Sequence, residues 1–318
     1  MTKTISIVTP CYNEEENIEE LYNRVVHTME HLPYKFELIV IDNCSTDNSV
    51  AILKEIARKD RRVKLIINAR NFGWIKSPYH GLLQATGDAC VMIASDLQDP
   101  PEMIPEFVQK WEEGFKIVMA VKPESEESST MFFLRRMYYQ TLSKISEIPL
   151  INNSTGAGLF DKKVIEILRS IKDPYPYFRG LLCEIGFPIA TVPFKQPRRM
   201  RGVSKHNFFN LYDVAMLGIT NHSKMPLRLM TMFGFAMSIF SLFVAIVFFV
   251  AKLIFWNSFQ LGMAPILVGF FMFSAIQMTF IGLLGEYIGS IQTQVRNLPH
   301  VIEAERVNFD QDDNPDAS

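Results

Sequence analysis

Three clusters of oxygen-bearing side chains stand at the ends of short apolar runs in the first hundred residues. They are Thr9-Pro10-Cys11-Tyr12-Asn13-Glu14, Asp42-Asn43-Cys44-Ser45-Thr46-Asp47 and Ser95-Asp96-Leu97-Gln98-Asp99-Pro100-Pro101. Carboxylates placed this way suit two jobs: accepting hydrogen bonds from a nucleobase or ribose, and offering hard oxygen ligands to a divalent cation that carries a diphosphate. An isolated Asp at such a position reads as a turn or helix cap. Three such clusters along one sheet edge favour a binding site. Neither G-x-G-x-x-G after the first apolar run nor G-x-x-x-x-G-K-[ST] anywhere is present, so dinucleotide and phosphate-loop readings fail.

The elements that must position these clusters are legible from periodicity. Residues 4–9, 36–41, 63–67, 90–94 and 117–121 are Ile- and Val-rich runs too short for helices, and they read as strands. Residues 14–31, 48–59 and 103–113 carry apolar side chains at three- and four-residue spacing and read as helices. Asn13 with Glu16 three residues on resembles a capping box, which would start the first helix directly after the first strand. Alternation of this kind predicts an α/β fold with a mostly parallel sheet covered on both faces, and ligands then bind beyond the carboxyl ends of the strands.

Five ordered blocks carry a resemblance. They are P-C-Y-N-E-E-E-N from Pro10, I-D-N-C-S-T-D from Ile41, A-R-N-F-G from Ala69, S-D-L-Q-D-P-P-E from Ser95 and R-R-M-R-G-V-S-K from Arg198. In these blocks, over about residues 4–300, the chain resembles the family 2 glycosyltransferases, specifically the polyisoprenyl-phosphate branch. The resemblance implies a GT-A fold and inverting transfer of a hexose from a nucleotide-sugar, UDP-linked by expectation, to a lipid phosphate such as undecaprenyl phosphate. It implies that Pro10, Tyr12, Glu14 and Asp42 line the nucleoside site with Arg70, Asn71 and Ser95 nearby, and that Asp96 and Gln98 face Mg2+ or Mn2+ and the diphosphate.

The chain departs from that pattern twice. Ala94-Ser95-Asp96 stands where many members have D-x-D, and Gly156-Ala157-Gly158-Leu159 where they have D-F-R-L. Both changes remove a carboxylate. A phosphate acceptor needs no protein base, because its second pKa is about 6 and it is largely ionised at neutral pH. Asp161 and Glu184 are the remaining carboxylate candidates near the second departure, each with an equally good structural reading.

Arg198, Arg201, Ser204 and Lys205, with Arg136 further upstream, form the candidate grip on the lipid phosphate, since guanidinium and hydroxyl groups hold phosphate oxygens well. The bland reading of the same cluster is a basic flank that meets anionic headgroups. Residues 131–148 and 207–220 have the pattern of interfacial amphipathic helices, or of ordinary core helices.

Downstream, residues 229–251 and 253–285 carry no charged side chain, and a turn-forming group at Asn257, Ser258, Gln260, Gly262 and Pro265 divides them. About 20 apolar residues cross a bilayer core, so two spans are expected, near 229–255 and 264–285. A buried hairpin is the alternative. Basic residues precede the first span and the connecting loop has none, which places both termini in the cytoplasm and the chain in the cytoplasmic membrane. The expected organisation is a cytoplasmic catalytic domain at 1–205, a membrane-proximal region at 206–228, the spans within 229–285 and a tail at 286–318. The acidic tail, including Glu303, Glu305 and Asp310, reads as solvated and disordered.

The chain has 318 residues, 48% hydrophobic, with a net charge of −2, and no nucleic-acid partner is expected of it. Cys11, Cys44, Cys90 and Cys183 show no C-x-x-C spacing and read as small buried groups in a reducing compartment. A homo-oligomer is compatible with a hairpin anchor. Two rival functions stay open: a catalytically silent nucleotide-binding membrane scaffold, and a processive polysaccharide synthase, which lacks its Q-x-x-R-W motif here.

Overall fold

The computed structural model describes residues 2–122, 151, 154–195, 216, 225–254, 263–296 and 298–309. The Ile- and Val-rich runs form β1 (Thr4–Cys11), β2 (Lys35–Asp42), β3 (Val63–Asn68), β4 (Ala89–Met92) and β5 (Ile117–Val121). The periodic segments between them form α1 (Ile18–Glu30), α2 (Ser49–Lys59) and α4 (Ile104–Glu112). One further helix in this half, α3 (Gly73–Leu83), escapes the periodicity because Pro78 lies inside it. Its Gly81 faces the sheet so closely that a Cβ would meet Ile41 Cγ2 at 3.0 Å and Val8 Cγ1 at 3.1 Å.

The chain continues through β6 (Ser154–Asp161), α5 (Lys162–Ser170), α6 (Phe178–Glu184) and β7 (Ile189–Pro193). It then forms the long helices α7 (Met225–Ile254) and α8 (Met263–Arg296) and ends in β8 (Glu303–Val307). Among the described residues the strands make one sheet of order β7-β5-β6-β4-β1-β2-β3-β8. The block β4-β1-β2-β3 is parallel, and β6 and β8 join it antiparallel at either side.

Alternation along each strand sends side chains to two cores. Ile5, Ile7, Leu38, Val40 and Leu65 pack against Leu21, Val25, Leu53 and Phe107 on one face. Val8, Ile39, Ile41 and Ile66 pack against Tyr79, Leu82, Val164 and Leu168 on the other. Burying a side chain of this size contributes about 1.5–3 kcal/mol. The parallel strands therefore carry apolar residues on both faces and leave their ends to hold the polar ones.

Two expectations are corrected. Asn13 does not cap α1: it takes a left-handed conformation (φ 54), and its Oδ1 accepts from Thr46 N at 2.8 Å, tying the loop after β1 to the loop after β2. The acidic tail is ordered as far as Phe309, because β8 pairs with β3 and its carboxylates find partners on α2, on α3 and within β8 itself. His80 Nε2 donates to Glu303 Oε1 at 2.6 Å, Arg306 bonds the same carboxylate, and Lys54 Nζ lies 2.6 Å from Glu305 Oε2. Asn308 Nδ2 adds bonds to the carbonyls of Ala57 and Val63 at 2.6 and 2.8 Å. Residues 310–318 lie outside the described residues.

The helices α7 and α8 are both long and apolar enough to cross a membrane. Many of their described large side chains are exposed, Phe235 and Phe271 at 67% each, in contrast to the closed cores of the sheet. The second helix continues past residue 285 to Arg296, and there Gln294 Nε2 donates to Asp173 Oδ1 at 3.0 Å. His300 Nε2 donates to the Asp173 carbonyl at 2.8 Å. Cys11 and Cys90 are buried, whereas Cys44 and Cys183 are half-buried, and all four are free thiols.

Candidate active site

All three polar clusters and the A-R-N-F-G block lie at the carboxyl edge of the parallel strands, because β1, β2, β3 and β4 run in one direction. Asp42 stands beside Cys11 in the register, so the ends of β1 and β2 are adjacent. Between β1, β4 and α3 a cleft of about 420 Å³ opens. Its floor carries Pro10, Ala94, Asp96, Gln98 and Asp99. One wall is Trp74, Ile75, Pro78 and Tyr79 of α3, and the other holds Thr155, Gly156, Tyr177 and Arg179.

Side-chain amides fix the loops around it. Asn43 donates from Nδ2 to Asn71 Oδ1 at 2.9 Å, and its Oδ1 accepts from Phe72 N at 2.9 Å and from Asn68 Nδ2 at 3.2 Å. Gly73 N donates to Asn71 Oδ1 at 2.8 Å, which completes the entry into α3. Glu14 is held by Asn17 Nδ2 at 2.6 Å, and Glu14 N donates to Ser49 Oγ at 2.9 Å. Asn13, Cys44 and Leu97 all take positive φ, at 54, 64 and 59. Each is a non-glycine residue in a left-handed conformation, and each sits on one of the three site loops. Strain of this kind, about 1–3 kcal/mol each, persists where surrounding contacts over-determine the backbone.

The carboxylates differ in environment. Asp42 is fully buried; burial pushes its carboxyl up, against hydrogen bonds from Ser45 Oγ at 2.5 Å and Ser45 N at 2.9 Å. Asp96 holds the turn that follows it, its Oδ1 accepting from Gln98 N at 3.1 Å. Asp99 is 7% exposed, and burial first, then the nearby Asp96 charge, push its carboxyl up to about 6. Its Oδ2 accepts from Ala94 N at 3.3 Å, and its buried Oδ1 has no hydrogen-bond partner.

Of the expected site residues, Pro10, Asp96 and Gln98 line the cleft. Tyr12, Glu14, Asp42, Arg70 and Asn71 occupy the neighbouring loops of the same edge, Arg70 with its guanidinium 4.0 Å from the Phe72 ring. Ser95 is buried, lines a small interior void with Thr9 and Cys11, and is not among the residues that line the cleft. Asp161 is likewise not among the residues that line the cleft. It pairs with Ala89 at the opposite end of β4, caps α5 through Lys163 N at 3.0 Å and accepts from Trp111 Nε1 at 2.9 Å. Glu184, at the end of α6, is exposed and absent from the cleft lining. Arg136, Arg198, Arg201, Ser204 and Lys205 lie outside the described residues.

Sequence reasoning did not single out Arg179, Thr155 or Trp74. Arg179 Nη2 donates to the Thr155 carbonyl at 3.1 Å within one wall of the cleft. The backbone of Gly156 has φ +94, a conformation suited to glycine. The loss of a side chain at 156 is thus built into the backbone that faces Arg179. Asp99 was visible in the S-D-L-Q-D-P-P-E block, but only the folded loop shows it turned back on residue 94.

The sequence model described as "Glycosyl transferase family 2" matches residues 6–168. The chain is 34% identical over 297 residues to an uncharacterized glycosyltransferase, YkcC, of Bacillus subtilis, covering 92% of this chain and 91% of that one. It is 33% identical over 302 residues to the bactoprenol glucosyl transferase of Shigella phage SfII, covering 94% and 96%. Among solved structures it is similar to the glucosyl-3-phosphoglycerate synthase of Mycobacterium tuberculosis, crystallised with Mn2+, UDP and phosphoglyceric acid, at 21% identity and a TM-score of 0.48. That match covers 69% of this chain and 76% of the other. With acidic loops gathered at the carboxyl edge of a parallel sheet and relatives matching along nearly its whole length, the chain belongs to the family 2 glycosyltransferases.

Proposed function

We propose that the protein transfers a hexose from a nucleotide-sugar, UDP-linked by preference, to a polyisoprenyl phosphate at the cytoplasmic face of a membrane, with inversion at the anomeric carbon. The observation that carries this reading is the cleft itself, an acidic floor at the strand ends facing a wall of aromatic side chains and Arg179. It is joined by the near full-length likeness to a bactoprenol glucosyl transferase.

The donor set suits a hard divalent cation. Among the described residues no group of three or more His, Cys, Asp or Glu side chains is arranged to hold a metal. The floor nevertheless offers Asp96, the Gln98 amide oxygen and an unpartnered buried carboxylate oxygen on Asp99. Magnesium is commonly bound by one or two carboxylates, with substrate phosphates and water completing the shell. Asp96 and Gln98 would hold Mg2+ or Mn2+, and the ion when bound supplies charge neutralisation to the departing nucleoside diphosphate.

The chain's own residues do the rest. Pro10, Tyr12, Glu14 and Asp42 form the nucleoside end of the edge, and Arg70 and Asn71 close it. Arg179 presents a fixed positive charge to phosphate oxygens within the cleft. No side-chain base is required, since the acceptor phosphate is already ionised and attacks the anomeric carbon as the carbon–oxygen bond to the diphosphate breaks. The rate enhancement then comes from holding acceptor and donor in line. The positions of Asp161 and Glu184, neither of which lines the cleft, agree with such a mechanism.

The two long helices supply the anchor, with both termini cytoplasmic. This topology is supported by β8, which follows α8 and pairs with β3, so the chain returns to the side of the sheet after the second helix. Confining the enzyme to the surface where its lipid resides replaces a search in three dimensions by one in two.

The test is incubation of purified protein with undecaprenyl phosphate, Mg2+ or Mn2+ and a panel of UDP-, GDP- and dTDP-sugars, followed by mass spectrometry of the lipid fraction. A mass gain of one hexose is expected with a UDP-sugar. Nucleotide binding without any lipid product would replace this reading by the silent scaffold.

A further inference from the structure

The loop from 94 to 99 folds back on itself. Leu97, only 7% exposed and in a left-handed conformation (φ 59), reverses the chain, and Gln98 N closes the turn on Asp96 Oδ1 at 3.1 Å. Pro100 and Pro101 follow and restrict the exit. The result brings the Asp99 carboxylate within hydrogen-bond distance of the Ala94 backbone, 3.3 Å from Oδ2 to N. Asp99, although placed five residues later, thus stands next to the position where the family pattern has its first acidic side chain.

We propose that Asp99 is the second carboxylate of the donor site, a ligand that acts with Asp96 on the divalent cation carrying the donor diphosphate and replaces the carboxylate that position 94 lacks. The proposal rests on the nucleotide-sugar half of the function above and is independent of the acceptor.

Three observations carry it. Asp99 Oδ1 is buried and has no hydrogen-bond partner. A buried carboxylate oxygen left unmatched is costly, and native structures keep few of them without a ligand or a function. The same side chain lines the cleft together with Asp96, Gln98 and Arg179, so Asp99 stands at the border of the site. Finally, the single long bond to Ala94 N accounts for only one of its two oxygens. A purely structural cap would be served as well by an amide as by a carboxylate.

That last point selects the variant. Asp99→Asn keeps an acceptor for Ala94 N and removes the charge. We expect it to melt close to the wild type, while the affinity of the full-length, detergent-solubilised protein for Mn2+ in the presence of UDP falls by about tenfold or more, as loss of a carboxylate ligand or its support does. The measurement is Mn2+ electron paramagnetic resonance or calorimetric titration, with no turnover involved. Placing a carboxylate back at the family position, Ala94→Asp in the Asp99→Asn background, should restore most of the affinity. Ala94→Asp alone should change it by less than about threefold, because the place is already served.

Unchanged Mn2+ affinity in Asp99→Asn, or a loss that Ala94→Asp does not recover, overturns the assignment. If Asp99→Asn folds poorly, the single Ala94→Asp variant decides: a gain of about tenfold would mean that the second carboxylate was missing until it was added. A wild-type protein that binds UDP but no Mn2+ overturns this inference and leaves the donor site standing. One that binds neither overturns both.

Discussion

Asp96 and Gly156 show what individual residues contribute. Asp96 is the acidic group of the cleft floor that the proposed function sets beside the diphosphate. Asp96→Ala is expected to reduce hexose transfer at least a hundredfold, the scale of losing a principal electrostatic contact in a transition state (about 2.7 kcal/mol or more). The folded protein should be retained, and near-normal transfer in a lipid-product assay would show that the cation site lies elsewhere. Gly156, at φ +94, is a different case. Returning an acidic side chain there by Gly156→Asp should lower stability by about 1–3 kcal/mol, through backbone strain alone. Thermal melting checks this, and an unchanged midpoint would mean the turn relaxes freely. Asn43 works by bonding four groups at once, Asn71 Oδ1, the Gly73 carbonyl, Phe72 N and Asn68 Nδ2. Asn43→Ala leaves those groups unmatched and should cost about 1–3 kcal/mol while raising the donor KM, because the A-R-N-F-G loop loses its support.

At the scale of elements, the antiparallel strand β8 matters because it closes the β3 edge with chain that has already left the long helix α8. Glu303 is its electrostatic anchor. Burial opposes the charged form, but the bonds from His80 and Arg306 prevail and hold the carboxyl down to about 2. The folded value lies below the unfolded-chain value of about 4.3, so the stabilisation is complete above that pH and is lost as pH falls from there toward 2. Pepsin digestion should therefore release the C-terminal segment progressively below about pH 4, earlier than it cuts the parallel strands. Glu303→Gln should remove this pH dependence, and a segment equally resistant in both proteins would show that the carboxylate has no such role. The helix α3 repeats the lesson from another side. Its pattern is broken by Pro78, yet it supplies a cleft wall because Gly81 lets it lie against Val8 and Ile41.

For the whole molecule, the order of elements along the chain decides what can be removed. A chain ending at residue 195 would lose β8 along with the two long helices, and β3 would become an open edge strand. Open edges invite pairing between copies. Such a chain is expected to melt several degrees lower and to associate in size-exclusion chromatography, even though its most apolar helices are gone. Equal stability and a monomeric profile would mean that β8 adds nothing to the sheet.

The sequence by itself determined the parallel sheet, the acidic loops at its edge, the two long apolar helices and the family, because periodicity and short ordered motifs are local properties of the chain. Pro10, Asp96 and Gln98 were legible for that reason. Tertiary structure alone decided that Ser95 turns inward, that Asp161 caps a helix at the far edge, that Arg179 reaches the cleft from a segment about eighty residues beyond Asp96, and that the acidic tail becomes an edge strand. Each of these depends on register, on a chain reversal or on a partner distant in sequence, and none leaves a local pattern. Asp99 belongs to both groups: its motif is written in the chain, and its place beside Ala94 exists only once Leu97 has turned the loop.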